Sequence, residues 1–276
     1  MTARRCAALR PARPLAAAGL AMLAVLAVLA TPVAWAHGPV PAAAPAPEAP
    51  AASPPADAAA TPADSGPPLS ARYQVSYTPK AGRPQVQTWT LHRSATEIAW
   101  LKSGGQDDIW RRDRSGIRLD RVLHSDRHLI RYSAGELRTL AVDLDWQALG
   151  SLLTDADLAR LRKVAVPTTG AAAAGLKDAH LLRYVGSLDG GRIDLRWDPV
   201  ARLPVDLRRH GPGGQVRYRL VAVAPVAPSD WPKAGAGSDD YQLLDAADFG
   251  DMAYNPVVRQ QQARDVRAGW RHAHAD

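Results

Sequence analysis

The chain has 276 residues, of which 46% are hydrophobic, and a formal net charge of +7 at pH 7. Its single cysteine, Cys6, lies before the first apolar run and is lost if that run is cleaved off. A mature chain without cysteine excludes disulfides, thiolate metal sites, iron–sulfur clusters, covalent haem attachment and a cysteine nucleophile. An exported chain of this kind depends on its own hydrophobic core for stability.

Residues 1–36 have the pattern of a secretory signal peptide. Four arginines precede an apolar run over residues 15–30, and an Ala-Trp-Ala sequence at the end fits the small-residue cleavage signal. The alternative is an uncleaved membrane anchor, because residues 14–36 are 23 positions without a charge. Both interpretations export the rest of the chain, since the arginines stay on the cytoplasmic side. We therefore expect a periplasmic or secreted protein.

Much of the positive charge belongs to this segment. Cleavage after Ala36 leaves 240 residues and lowers the formal net charge from +7 to +3, because four arginines and no acids are removed. The remaining chain has no lysine-rich face and no basic run interleaved with aromatic residues. Nucleic-acid binding is therefore unsupported.

Residues 37–70 are rich in Ala and Pro and lack Phe, Tyr and Trp. Such a segment buries too little apolar area to offset its chain entropy, so we expect a disordered, partly polyproline spacer. It is either a tether or a product of compositional drift. The sequence then predicts a β-rich domain over 71–232 and a C-terminal extension over 233–276, packed on the domain or mobile.

Apolar and polar residues alternate in short runs from Arg72 onwards, separated by Gly, Asp, Ser and Pro turn signals. This pattern is typical of antiparallel strands joined by hairpins. The sequence predicts about ten strands, over residues 72–79, 86–93, 96–102, 106–113, 116–124, 128–133, 180–186, 191–198, 203–210 and 215–224.

Two segments in the middle of the chain change to a helical period. Residues 143–153 place four leucines near one face, and residues 154–163 begin with Thr154 as N-cap and end with basic side chains. Residues 168–177 are predicted to form a flexible loop, although their four alanines could also extend a helix. The sequence therefore predicts an α+β fold, mainly β, in which two or three short helices accompany the sheet.

The C-terminal extension contains a third helical pattern. Asn255 is a good N-cap before Pro256, and residues 257–266 then form a short polar helix. Its apolar stripe is thin, so we expect this helix to lie on the domain surface. Phe249, the only phenylalanine of the chain, is expected to anchor the extension in the core.

A turn signature near the end of the domain carries a resemblance. Trp197-Asp198-Pro199 is followed by Leu203-Pro204, an alternating strand over 216–223 and a Pro- and Trp-containing stop over 228–232. This order resembles the LolA/LolB-like periplasmic carriers and outer-membrane lipoprotein-sorting proteins. The resemblance implies a curved, incompletely closed antiparallel sheet with helices on its concave side. It also implies binding or carriage of a hydrophobic ligand or lipoprotein.

Tryptophans within or beside the predicted strands are the candidates for contacting such a ligand. Core packing explains the same residues equally well. The candidates are Trp89, Trp100, Trp110 and Trp197.

Histidines supply the candidates for a metal site. His124 and His128 flank a predicted turn with Asp126 between them, which suits a general base or half of a metal site. His272 and His274 project to the same side of an extended chain and form a second candidate pair. A solvated terminal pair and ordinary hairpin residues are the alternatives.

Two weaker ligand patterns remain. Asp245, Asp248 and Asp251 recur every three residues, as hard-cation ligands can, although a helix cap with a solvated loop explains them too. His37 becomes a new N-terminus if cleavage follows Ala36, and its amine and imidazole then suit copper.

No catalytic motif is present. The sequence lacks H-E-x-x-H, G-x-S-x-G and a phosphate-binding glycine loop. We therefore expect an exported, non-catalytic protein without a cofactor that binds a hydrophobic ligand, a lipoprotein or an envelope partner, with membrane contact only through the signal segment. A periplasmic metal-binding protein and a small hydrolase are the competing hypotheses.

Overall fold

The computed structural model describes residues 65–142, 144–165, 176 and 181–270. Several predictions concern residues outside this part of the chain: the signal segment 1–36, residues 37–64 of the spacer, nearly all of the loop 168–177, and His272 and His274. In the described residues, no helix has the length and apolar character needed to cross a membrane.

Twelve strands of the described chain form one open sheet, in the order β12-β6-β5-β4-β3-β2-β1-β11-β10-β9-β8-β7. The strands are β1 (Leu69–Pro79), β2 (Gln85–Arg93), β3 (Glu97–Lys102), β4 (Gln106–Asp113), β5 (Gly116–Leu123), β6 (His128–Tyr132), β7 (Arg162–Val164), β8 (Leu182–Leu188), β9 (Gly191–Asp198), β10 (Leu203–Gly211), β11 (Gly214–Ala224) and β12 (Gln242–Asp245).

The predicted fold class is confirmed, with two additions. All ten predicted strands are present, and β7 and β12 were not anticipated. These two have only three and four residues, too few for alternation to show. β12 pairs in parallel with β6, so the sheet is mixed rather than purely antiparallel.

Four α-helices occur in the described chain: α1 (Ala134–Thr139), α2 (Trp146–Ser151), α3 (Asp155–Arg160) and α4 (Pro256–Arg267). α2 and α3 are shorter than the predicted 143–153 and 154–163. α2 ends where Leu152 adopts a left-handed conformation. α3 ends because the next residues extend into β7. α1 was not predicted, and its Ser133–Glu136 capping box is the signal that was missed.

The sheet curves towards one face, called the inner face here. In a flat sheet β2 and β10 would lie three strand spacings apart, about 14 Å. Yet Arg93 at the end of β2 donates to the carbonyls of Ala201 and Arg202 in the β9–β10 turn, at 2.6 and 3.3 Å. Tyr73 of β1 likewise donates to the carbonyl of Pro204 in β10, at 3.0 Å. Bending of the sheet accounts for the Arg93 contacts, whereas Tyr73 has to reach across only two strand spacings, about 10 Å.

The main hydrophobic core lies on the inner face. It is one continuous cluster. Every strand except β7 contributes inward-facing side chains to it, and α1, α2 and α4 contribute further residues. A smaller cluster lies on the opposite, outer face, where Ala99, Leu101, Ile109 and Val122 are covered by Ala234 and Tyr241 of the segment 226–241. The two faces therefore differ in how completely they are packed.

The Asp198-Pro199 turn is tied down from both sides. The Asp198 carboxylate accepts from the backbone N–H groups of Val200 and Ala201, both at 2.8 Å. Arg93 holds the carbonyls of the same turn from the inner face. The hairpin thus faces a buried guanidinium and the end of α2.

The C-terminal extension joins the domain. β12 adds a strand to the sheet, and Phe249 is buried in the main core as predicted. α4 lies on the domain surface, as expected, and packs against the domain through one side on which Val258, Gln261 and Asp265 are buried. The buried side of α4 is largely polar, so hydrophobic patterning underestimated its contact with the sheet.

Replacing Arg93 with methionine tests whether this residue holds the curved sheet together. Four backbone carbonyls would lose a charged donor, so we expect the free energy of unfolding to fall by about 2–5 kcal/mol. Chemical denaturation measures the change. Arg114→Met, at an exposed turn position, is the matched control and should change stability by less than about 0.5 kcal/mol. Equal small effects of both variants would contradict the assignment.

Candidate ligand-binding face

The four tryptophans proposed to contact a ligand are all buried. Trp89 and Trp100 meet edge to face with ring centres 6.0 Å apart, and Tyr73 and Tyr218 pack against them. Trp110 lies on β4 and Trp197 on β9, in the same core cluster. The structure therefore brings Trp89 and Trp100 together, places the other two elsewhere in the core, and exposes none of them.

Helix α2 covers the aromatic part of the inner face. Trp100 donates its indole N–H to the carbonyl of Leu149 at 2.8 Å, and Arg93 donates to the carbonyl of Gly150 at 2.9 Å. A Cβ atom at Gly150 would lie 2.9 Å from the Arg93 side chain and 3.1 Å from Ile98. Glycine is thus required for this close approach of helix backbone to sheet.

The contact between α2 and the sheet leaves two buried donors without acceptors. Trp146 Nε1 and Arg112 Nη1 are both buried and have no hydrogen-bond partner. The two side chains stack, with the Arg112 guanidinium carbon 4.7 Å from the indole centre. A buried donor left unsatisfied costs about 1–3 kcal/mol. The contact between α2 and the sheet is therefore less stable than the buried area of α2 suggests.

A cluster of buried charges lies at the other end of the inner face, beneath α4. Lys102 and Arg121 both contact the carboxylate of Asp108, the latter at 2.6 Å. Arg121 also contacts Asp265 of α4 at 3.0 Å. Tyr132 donates to Asp265 at 2.8 Å. Two cations and two anions balance, so the cluster attaches α4 to the sheet without leaving a net buried charge.

The electrostatics of this cluster favour fixed charges. Burial alone would raise the pKa of Asp108, but the charges of Arg121 and Lys102 outweigh burial and hold that pKa well below its ordinary value of 3.8. Burial would lower the pKa of Arg121, but Asp108 and Asp265 raise it. Burial and Asp265 raise the pKa of Tyr132 well above its ordinary value. A general acid or base works best with a pKa near the working pH, and these shifts lead away from it.

The two central histidines lie on opposite faces of the sheet. His124 contacts Tyr241 Oη at 3.2 Å and Asp107 Oδ2 at 3.1 Å, beside the outer cluster. His128 pairs with the inward-facing Leu123 across β5 and β6 and so shares the inner face. Its Nδ1 donates to the carbonyl of Asp126 at 2.5 Å. The pair therefore brackets a turn, as the sequence indicated, but the two rings bind different partners.

Metal-ligand candidates do not assemble in the described part of the chain, where no group of three or more His, Cys, Asp or Glu side chains could hold an ion. Asp245 and Asp251 cap the two ends of a 3-10 turn over Ala246–Gly250. Asp248 is exposed within that turn. The pairing of His272 with His274 stays a prediction, since both lie outside the described residues.

Sequence reasoning missed Arg93, Arg112 and the Asp108–Arg121–Asp265 network. A signal was present for Asp108 and Arg121: each occupies an inward position of an alternating strand, two residues from Trp110 or Leu119. A charged residue in such a position has to find a buried partner. The identity of that partner, 144 residues away on α4 in the case of Arg121, was not readable from local pattern.

Comparisons with known proteins place few constraints on this chain. No family model matches it, and no curated protein matches it. Similar solved structures include PNGF-II, with a TM-score of 0.37, 8% identity, and coverage of 68% of this chain and 33% of the other. The Pseudomonas aeruginosa MucA/MucB complex has a TM-score of 0.33 and 13% identity, with coverage of 59% of this chain and 53% of the other. A LolA superfamily protein from Nitrosomonas europaea, NE2245, has a TM-score of 0.28 and 9% identity, with coverage of 59% of this chain and 88% of the other.

These likenesses are weak. The chain spans about one third and about half of the length of the first two structures. All three TM-scores lie below 0.5, so none of the three assigns a function. A LolA superfamily member is one of these three structures. The class that the fold defines is an open, curved β-sheet whose inner face is covered by short helices.

Asp108→Asn tests the buried charge cluster through its pH dependence. Because the pKa of Asp108 is lowered in the folded state, its ionised form stabilises the fold above the unfolded pKa, and this contribution is lost as the pH falls below about 3.8. We expect the variant to be about 3–5 kcal/mol less stable at pH 7 and the difference to shrink below about pH 4.

Denaturation curves at pH 7, 5 and 3 measure both quantities. Asp230→Asn, which removes an exposed carboxylate, is the control and should differ little from the parent at each pH. A stability difference for Asp108→Asn that stayed constant down to pH 3 would argue against a lowered pKa of Asp108 in the folded state.

Proposed function

We propose that the chain is an exported, non-catalytic protein that binds or carries a hydrophobic ligand, such as an acyl chain or the lipid part of a lipoprotein, on the inner face of its sheet. The export part of the proposal rests on the signal-like pattern of residues 1–36. The binding part rests on the inner face and its cover. The resemblance to periplasmic carriers suggests the same role.

One observation carries the proposal: the broad apolar inner face is covered by three helices, α1, α2 and α3, that are too short to be stable alone. α1, α2 and α3 have six residues each, whereas isolated helices shorter than about 12–15 residues are marginal in water. Their stability comes from caps and from docking on the sheet. The docking of α2 includes two unsatisfied donors. Such a cover is suited to local displacement without unfolding of the sheet.

Displacement of α2 would uncover the aromatic group formed by Trp89, Trp100 and Tyr73. An apolar ligand would then replace the apolar side of the helix, so the buried area is exchanged rather than lost. The freed N–H of Trp100 would be available to a carbonyl oxygen of the ligand. Opening costs free energy, so the measured affinity depends on the population of the open state.

Native mass spectrometry of the protein purified from the periplasm tests this function directly. We expect a co-purifying mass in the range of a lipid or an acylated peptide, lost under denaturing ionisation. A mass corresponding to one metal ion, abolished in His124→Ala/His128→Ala, would favour the metal-binding hypothesis instead. An empty chain that also fails to bind an added fatty acid would contradict the proposal.

Removing the N-cap of α2 should strengthen ligand binding. Asp145 accepts from the N–H groups of Gln147 at 2.7 Å and Ala148 at 3.1 Å, and loss of such a cap costs about 1 kcal/mol. If opening of α2 precedes binding, Asp145→Ala should raise the apparent affinity for a fluorescent polyene fatty acid about fivefold. Fluorescence titration measures this change.

Asn255→Ala is the matched control, because Asn255 caps α4 in the same way and α4 is not part of the proposed cover. It should lower stability similarly and leave the affinity unchanged. Equal affinity changes in both variants would indicate a general loosening of the protein rather than opening of α2.

A further inference from the structure

The outer face of β8–β11 carries a grid of arginines. The register aligns three rows across these strands: Arg183–Arg196–Asp206–Arg219, Val185–Asp194–Arg208–Arg217 and Ser187–Arg192–His210–Gln215. Residues aligned in this way share one face of a sheet, because side chains alternate with a period of two. The inward neighbours on the same strands, including Leu195, Leu207 and Tyr218, belong to the main core. The grid therefore points away from the ligand-binding face.

The grid has more positive than negative charge. Its six arginines and two aspartates give an excess of four positive charges, without counting His210. Asp194 takes Arg183 as a bidentate partner at 3.0 and 2.8 Å, and Asp206 takes Arg217 at 2.8 and 2.6 Å. Each acid thus has a close arginine partner already. Arg192 and Arg219 are exposed.

The other half of the outer face lacks this excess. Near β3–β6, Arg111 contacts both Glu97 and Asp120, and Arg131 also contacts Asp120. Two cations there meet two anions. The segment 226–241 also covers part of that half, through Ala234 and Tyr241. Positive charge is thus concentrated on one half of one face, a distribution that attracts an extended anionic partner.

We propose that the outer face of β8–β11 is a docking surface for a phosphate-bearing, anionic lipid bilayer. The planar guanidinium fork of arginine matches phosphate oxygens in pairs. Exposed aliphatic side chains lie beside the grid. Val86, aligned with Ser76 beside Arg217 on the same face, is 59% exposed, and Val221, at the register shift between β1 and β11, is 47% exposed. Cationic and aliphatic groups side by side are what interfacial membrane contact requires.

The composition of the grid disfavours a single-stranded nucleic acid. None of its twelve positions is Phe, Tyr or Trp, the side chains on which bases stack. The surface is also broad, since four adjacent strands span about 14 Å across the strand direction. A bilayer in contact with this face would leave the inner face and its helices directed away from the lipid surface. The membrane contact and the binding of a hydrophobic ligand are thus separable properties.

Vesicle binding by the full chain tests the proposal. The probes are vesicles of phosphatidylcholine alone and vesicles containing about 30% phosphatidylglycerol, at low and at high salt. The four arginines before the N-terminal apolar run also favour anionic vesicles. The readout is therefore the ratio of the two affinities, compared between the parent chain and variants that carry the same N-terminal segment. We expect at least a tenfold preference for anionic vesicles at low salt, which declines as salt rises.

Arg192→Glu/Arg219→Glu should abolish most of that preference. The matched control is Arg114→Glu/Arg259→Glu, which makes the same change in net charge at exposed positions on a β4–β5 turn and on α4. The control should keep the preference within about twofold. Thermal unfolding checks that each variant is folded, and Arg192→Gln/Arg219→Gln replaces the first variant if it is not.

Three results would overturn the proposal. One is equal binding of the parent chain to neutral and anionic vesicles. Another is an equal loss of preference in the grid variant and the control, which would reflect net charge alone. The third is tighter binding to poly-glutamate than to anionic vesicles, lost in the grid variant, which would assign the surface to an acidic protein partner. The ligand-binding proposal is unaffected by any of these, because fatty-acid titration measures it independently.

Discussion

The buried guanidinium of Arg93 is the interaction on which the shape of this protein depends. It sits at the end of β2 and donates to carbonyls before β1, at the end of α2 and in the β9–β10 turn. A planar guanidinium with five donors can serve acceptors from three directions at once. Curvature of the sheet, seating of α2 and position of the hairpin are consequently coupled. A change in one of them alters the acceptor set available to the other two.

The two ends of the inner face differ in how their buried polar groups are paired. Under α4, buried charges are matched and the carboxylates of Asp108 and Asp265 accept from several donors, although the Gln261 side-chain oxygen is buried without a partner. Under α2, two donors are buried without acceptors. A satisfied polar network rigidifies its surroundings, whereas an incomplete one weakens them. Buried ion pairs hold α4 on its end of the inner face, whereas α2 has two unpaired donors in its contact with the sheet and lies over the aromatic side chains.

Much of the fold followed from sequence pattern, because period-two alternation and Gly or Pro turns are local signals. The ten longer strands, the cap of α4 and the anchoring role of Phe249 were predicted in this way. β7 and β12 were not, since strands of three and four residues form only where a neighbouring edge is available. The site was harder to predict. Its essential contacts join residues far apart in sequence, such as Arg93 with Ala201 and Arg121 with Asp265, and no local period encodes them.

Strand order has a consequence for how this chain reaches its native state. Of the described strands, β1 is synthesised first, yet it lies in the middle of the sheet between β2 and β11. Tyr77 of β1, for example, pairs with Val216, which is synthesised much later. Pairing across so much sequence is slow. Until β11 arrives, one side of β1 is an unpaired edge carrying Tyr73 and Val75, and such edges invite pairing with other chains. If the chain is exported as proposed, β1 crosses the membrane before β11 does, so its unpaired edge is open to pairing with another chain throughout the passage.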